Sequence, residues 1–407
     1  MSGAGVVVYQ SRGLGVEDGP AVLLADAHGR PATQAGIAQP DAARTARASD
    51  GVRSTEAVPG LNVAVHGLRG VGSMMVLLAH IAGGTARHVY PHDAAYVRLI
   101  AHPWNFGTFG VEIFFVISGF VILPSAMRYS AREFAGRRFL RLYPLFFVLS
   151  VLFVALNHMT NAYPGVNDGR SIIAGFLFLN LFTGTEQLTP NAWSLSFEVA
   201  FYVLTALTVN AAVRRHGIVG ACLAVLLAAA FLLAFPIAVY FLIGIALRLA
   251  GREARSAGAI TRAIEAASFA SLVWFASRAH FDYTSWTQFR GATVPMILAS
   301  ITTYFSMALM RRSLTATLLG GRVFAYLGEV SYSLYLVHPF VYFACRALFV
   351  HQHWFTDDVA LSLLCFAAVV VAGSLLATHY VHRWLELWPY NAVFHQRIYH
   401  RRAGQQA

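Results

Sequence analysis

Apolar residues arrive in long runs along this chain, separated by short polar stretches in which arginine and glycine recur. A helix rising about 1.5 Å per residue needs roughly 20 such residues to cross the hydrocarbon of a bilayer, fewer where its end residues snorkel. That criterion predicts ten crossings, at 62–83, 106–126, 142–159, 193–213, 217–234, 236–250, 262–279, 291–310, 323–349 and 359–380. The fifth and sixth form one apolar run divided only by Pro236, and "SIIAGFLFLNLF" at 171–182 is short enough to read as interfacial or re-entrant. Residues 1–60 are rich in Ala and Gly, carry scattered charge and show no sustained apolar period, so they read as a disordered cytoplasmic tail.

Arginine placement sets the orientation. Every basic residue is Arg, and with ten passes and a cytoplasmic amino terminus 24 of the 30 fall on the cytoplasmic side. Only Arg87, Arg98, Arg170, Arg278, Arg290 and Arg346 fall outside. The expected architecture is an all-α polytopic membrane bundle with both termini cytoplasmic: a tail over 1–60, the membrane domain over 61–385 and a basic tail over 386–407. Composition agrees, with 57% hydrophobic and 12% charged residues and a mean hydropathy of +0.56. A net charge of +11 would suit nucleic acid in a soluble protein; here positive cytoplasmic loops account for it, and no nucleic-acid partner is expected. Cys222, Cys345 and Cys365 lie in apolar runs and suggest neither a disulfide framework nor a metal site.

Ionisable residues inside the predicted spans are the candidates for chemistry, because each is costly there unless it faces a partner or a wet cavity. In "LRGVGSMMVLLAH" at 68–80, Arg69 and His80 are eleven positions apart, roughly 16 Å along one helix. Arg69 would sit at the cytoplasmic mouth and His80 beyond the midplane. Arg138 and Arg141 open the third span one turn apart and can face one ligand, or belong to the ordinary positive-inside cluster with Arg128, Arg132 and Arg137. Glu198 lies a few residues into the fourth span behind Trp193, at the level of His80 if both helices cross fully; it reads as a partner for the imidazole or as a carboxylate at the wet interface. His338 lies in the outer half of the ninth span, as a substrate contact or a packing histidine. The Pro339 after it removes a backbone donor and can leave a carbonyl free. His88 and His92 have metal-ligand spacing, but Pro91 between them opposes the helix that spacing needs, and no metal is expected.

Five stretches in order resemble the acyltransferase-3 family of multi-pass membrane O-acyltransferases: "LRGVGSMMVLLAH" at 68–80, "GVEIFFVISGFVI" at 110–122, "RRFLRLYP" at 137–144, "WSLSFEVAFY" at 193–202 and "LGEVSYSLYLVHP" at 327–339. The chain departs from the usual pattern at His66, where many relatives carry Asp, and at Val199, where many carry a second acid after Glu198. The lone acid is similar to the branch of exopolysaccharide and nodulation-factor O-acetyltransferases. The resemblance implies transfer of an acyl group, usually acetyl, from acyl-coenzyme A to a sugar hydroxyl of an exported or surface glycan, in a bacterial inner membrane. It implies that Arg69, Arg138 and Arg141 bind donor phosphates, since guanidinium groups pair with phosphate in forked fashion. It also implies that His80 acts catalytically with Glu198, while His338 and Trp193 shape the acceptor site. A base accepting the hydroxyl proton would contribute about 10²–10⁴ in rate; transient acylation of His80 itself is the other route. No tightly bound cofactor is expected. Ten helices with intramembrane charges would equally suit a transporter or flippase that makes no covalent change.

Overall fold

The computed structural model describes residues 62–214 and 217–394; the predicted tail over 1–60 and the last part of the basic tail lie outside them. The described residues are helical, with no strand among them. In chain order the helices are α1 (Val63–His88), α2 (Ala94–Thr108), α3 (Gly110–Arg128), α4 (Ala131–Thr160), α5 (Gly169–Phe176), α6 (Asn180–Thr183), α7 (Ala192–Thr208), α8 (Ile218–Ala234), α9 (Val239–Leu249), α10 (Ala259–Ala276), α11 (Thr293–Ala308), α12 (Leu314–Leu318), α13 (Arg322–Glu329), α14 (Ser331–His351) and α15 (Val359–Val381).

Among the described residues seven helices are long and apolar enough to cross a membrane, or up to eight if α8 and the helix after it form one span bent by 120° at Phe235. The apolar α11 is shorter. The ten-pass reading therefore needs α8, α9 and α11 each to cross. Three predicted boundaries move. The second span begins much earlier, because α2 and α3 form one apolar unit over Ala94–Arg128. The ninth is cut at Val330, where Ser331 Oγ donates to the Gly328 carbonyl at 3.0 Å and α14 starts afresh. The last runs on through a π-helical turn at His382–Leu387 to Phe394, into the segment read as a basic tail. The 171–182 segment forms the short helices α5 and α6.

Packing follows the small residues. α3 is the most enclosed span, whereas α10 and α15 turn most of their surface outward, with Leu361, Leu364 and Leu376 exposed as a lipid-facing row would be. Backbones meet where glycine lets them: a Cβ on Gly119 of α3 would strike the Phe241 carbonyl oxygen, and one on Gly244 of α9 would strike that of Val116. Neither backbone can retreat without unpacking Phe115 and Phe201, which stack on Phe241 from opposite sides of this seam. Gly119→Val is therefore expected to abolish monodisperse protein in size-exclusion of the detergent extract. Gly136→Ala, in a helix position with open space around it, should leave the profile intact.

α12 is pinned from a distance. Its first two backbone N–H groups, Leu314 and Thr315, donate to the buried Glu265 carboxylate of α10 at 2.8 and 2.7 Å. Glu265→Ala leaves both donors without that acceptor and is expected to cost about 1.5–3 kcal/mol, read as a lowered thermal unfolding midpoint.

Candidate functional site

The ionisable side chains collect at two levels. At one, His80 of α1 and His338 of α14 are joined edge to edge, with His80 Nδ1 2.8 Å from His338 Nε2, the ring centroids 5.0 Å apart and the ring planes 28° from parallel. Both are buried. Trp104 of α2 stands edge-on to His80 at 6.2 Å, and Tyr335 edge-on to His338 at 5.7 Å. His338 is held further by its own helix, its Nδ1 lying 3.0 Å from the Leu334 carbonyl oxygen. α14 runs unbroken through Pro339. The backbone donor that Pro339 lacks would have served the Tyr335 carbonyl four residues back. Asn191, at the mouth of α7, donates its Nδ2 there instead at 2.6 Å, and Tyr335 OH returns a bond to the Asn191 carbonyl at 3.2 Å. The missing donor predicted from Pro339 thus becomes the tie between α7 and α14.

At the other level, Arg138 Nη2 donates to Ser125 Oγ at 2.7 Å, and its guanidinium lies over the rings of Phe134 and Tyr202 at 5.4 and 5.5 Å. Tyr202 OH donates to Glu198, which also accepts from Ser118 Oγ at 2.9 Å. Arg141 is only 6% exposed, and its Nε and Nη2 have no hydrogen-bond partner among the described residues. Its charge reaches Glu198 and Glu386. Arg69, also buried, joins this group through His66, which feels the charge of both Arg69 and Arg141. The helix carrying the third span brings Arg138 and Arg141 here on one continuous stripe with Phe134, Leu145 and Leu149, the spacing of a buried helix face.

Glu198 therefore does not sit beside His80, as a full crossing of both helices predicted. α1 and the α2–α3 unit run antiparallel: Gly107 meets Ala79, and Gly110 meets the Gly72 carbonyl. His80 is eight residues beyond Gly72 and Ser118 eight beyond Gly110, so the two lie on opposite sides of the crossing, each roughly 12 Å along its own helix. Glu198, bonded to Ser118, belongs to the arginine level. The imidazole's partner is His338, predicted as a substrate contact. Trp193 is buried, stacked on Tyr283 at 5.7 Å and edge-on to Phe197, rather than open at a mouth.

Between the levels runs a polar lane. Asn191, Ser194, Glu198 and Tyr202 recur at intervals of three and four on one face of α7, all buried. The Oγ of Ser194, and that of Ser150 on α4, are fully buried with no hydrogen-bond partner among the described residues. Such groups are costly in an apolar interior unless a polar partner completes them. The lane begins at Asn191, bonded to the residue that packs on His338, and ends at Tyr202, packed on Arg138.

A further group went unread in the sequence. Buried Glu386 accepts from Ser333 Oγ at 2.7 Å and pairs with His382 Nδ1 at 2.7 Å; His382 Nε2 lies 3.8 Å from Glu329. Glu329, outside the spans, is held below the ordinary carboxylate range by His382. The signal was available as a His and a Glu one turn apart in "HRWLE", immediately after an apolar run.

Comparison with known proteins is concordant. A family described as an acyltransferase domain matches residues 62–379. The chain is 30% identical over 147 residues to Acyltransferase MdmB of Streptomyces mycarofaciens, covering 34% of this chain and 36% of that protein, so it spans about a third of the length of the relative it matches. No solved structure matches.

Proposed function

Because the chain belongs to the acyltransferase-3 family, we propose that it moves an acyl group, acetyl in the simplest case, from acyl-coenzyme A to a hydroxyl of an exported or surface glycan across a bacterial inner membrane. The observation that carries this reading is the arrangement of two chemistries at the ends of one lane. Arg69, Arg138 and Arg141 are a cluster of guanidinium groups suited to the several phosphates of coenzyme A. The histidine pair, roughly 16 Å from Arg69 along α1, supplies a base where a hydroxyl would arrive. An extended pantetheine arm has about that reach, and the Ser194 hydroxyl on the polar face of α7 offers its amides a hydrogen bond on the way. Glu198 acts in this scheme from the donor side, through Tyr202, by holding Arg138.

The proposed orientation keeps ten passes and both termini in the cytoplasm, so that the arginine level opens inward. Arginines concentrate on that side, as the positive-inside rule requires.

The test follows label from acetyl-coenzyme A into extracted surface glycan, together with release of free coenzyme A, in membranes with and without the protein. Enzyme activity raises both. A transporter or flippase would release no coenzyme A, and that result would overturn the reading.

A further inference from the structure

α1 and α14 lie side by side. His80 meets His338, and one turn on Gly84 meets Tyr342, where a Cβ on the glycine would strike the tyrosine hydroxyl. The two helices therefore run in the same direction. One turn further, the charge of Arg346 reaches His88. His338, Tyr342 and Arg346 thus form one stripe along α14, with Arg346 eight residues and roughly 12 Å beyond the histidine pair. Arg87, at the end of α1, adds a second charge: it also acts on His88, and both arginines act on Tyr163, between α4 and α5. Arg87, His88 and Tyr163 are exposed. One acid, Glu186, acts on Tyr163 as well. This end of α1 lies away from the donor side, since Arg87 follows Arg69 by eighteen residues on one continuous helix, roughly 27 Å. Topology does not ask for arginine here: in the ten-pass orientation Arg87 and Arg346 are among the six that fall outside.

Two buried polar atoms on the stripe, the Tyr342 hydroxyl and Arg346 Nη1, lack a hydrogen bond of ordinary geometry among the described residues. The Arg346 guanidinium instead lies over the rings of Tyr342 and Phe343, at 5.6 and 5.3 Å. Stacking engages the face of a guanidinium and leaves its N–H edge for a carboxylate or phosphate, which it grips in forked fashion. We propose that Tyr342 and Arg346, with the added charge of Arg87, form a subsite for an anionic group, carboxylate or phosphate, and so select acidic acceptors. Naming the ligand an acceptor rests on the acyl-transfer reading above; the anion site does not. The roughly 12 Å from Arg346 to the histidine pair is longer than one sugar ring, so the anionic group belongs to a unit next to the one acylated. A uronic acid and a sugar phosphate both supply such a group.

The experiment titrates the detergent-solubilised full chain with glucuronate, glucose 1-phosphate or glucose at constant ionic strength and reads the thermal unfolding midpoint. An anionic sugar should raise the native midpoint, and glucose should not. A rise with glucuronate alone names a carboxylate-bearing acceptor; a rise with glucose 1-phosphate alone names a phosphate. Arg346→Gln should weaken the apparent affinity at least about tenfold. Arg141→Met should keep the rise, which separates this subsite from the donor arginines. Should Arg346→Gln fail to fold, Tyr342→Phe removes only a hydroxyl and should weaken the same response. The proposal is overturned by no rise with either anion, by an equal rise with glucose, or by a rise that survives Arg346→Gln and Tyr342→Phe. In membranes, label from acetyl-coenzyme A should enter glycan that an anion exchanger retains, and label found only in unretained glycan would overturn the acceptor selectivity. A native chain that binds the anions but transfers nothing fails the acyl-transfer reading and leaves the site standing.

Discussion

His80→Gln is expected to lower acetyl transfer into glycan by about 10²–10⁴ while leaving the folded protein intact, the range a positioned general base contributes. The choice of variant matters. His80 is buried with His338, and His80→Ala would leave a cavity and an imidazole nitrogen without its partner, so lost activity there could reflect lost packing. A glutamine amide can still donate to His338 Nε2 and fill much of the volume, but it takes no proton. Native-like size-exclusion behaviour and thermal midpoint, together with the lost rate, would assign the loss to chemistry. Transfer by His80→Gln at the native rate would remove His80 from the reaction and leave the pair as a polar clasp between α1 and α14.

The same residues show how far a sequence reading reaches. Arg69 and His80 were legible because both lie on one helix, where spacing fixes separation; the structure needs only to supply their partners. Arg138 and Arg141 were legible for the same reason, a turn apart on α4. What joins different helices was not. Nothing local in "LVHP" says that His338 meets His80, because the contact depends on how α1 and α14 are brought side by side. Glu198 would share the level of His80 only if both helices crossed fully, and they do not. The glycine crossing at Gly72 and Gly110 sets the actual register between α1 and α3, and Ser118 then carries Glu198 to the arginines. Glu386 and His382 were passed over because the apolar run ends before them, although the helix does not. Span boundaries slipped where two helices adjoin, α2 with α3 and α13 with α14, since hydropathy marks what lipid can hold and not where hydrogen bonding stops.

Arg141 offers the sharpest separation of function from fold. Its Nε and Nη2 have no hydrogen-bond partner among the described residues, so both donors remain for a phosphate in the proposed donor site. Arg141→Met removes the charge and keeps most of the volume. The two carboxylates within its reach keep their other partners, Ser118 and Tyr202 for Glu198, Ser333 and His382 for Glu386. The variant should therefore fold with a thermal midpoint near the native value. Donor binding should suffer far more: a charge-assisted bond to phosphate is worth about 1.5–3 kcal/mol, so the KM for acetyl-coenzyme A should rise about 10- to 100-fold. Arg141→Lys keeps the charge without the planar fork and should fall between the two. A KM unchanged in Arg141→Met would place the donor phosphates elsewhere, whereas a rise confined to Arg141→Met and Arg141→Lys, with acceptor dependence unaltered, would tie this end of the lane to the donor.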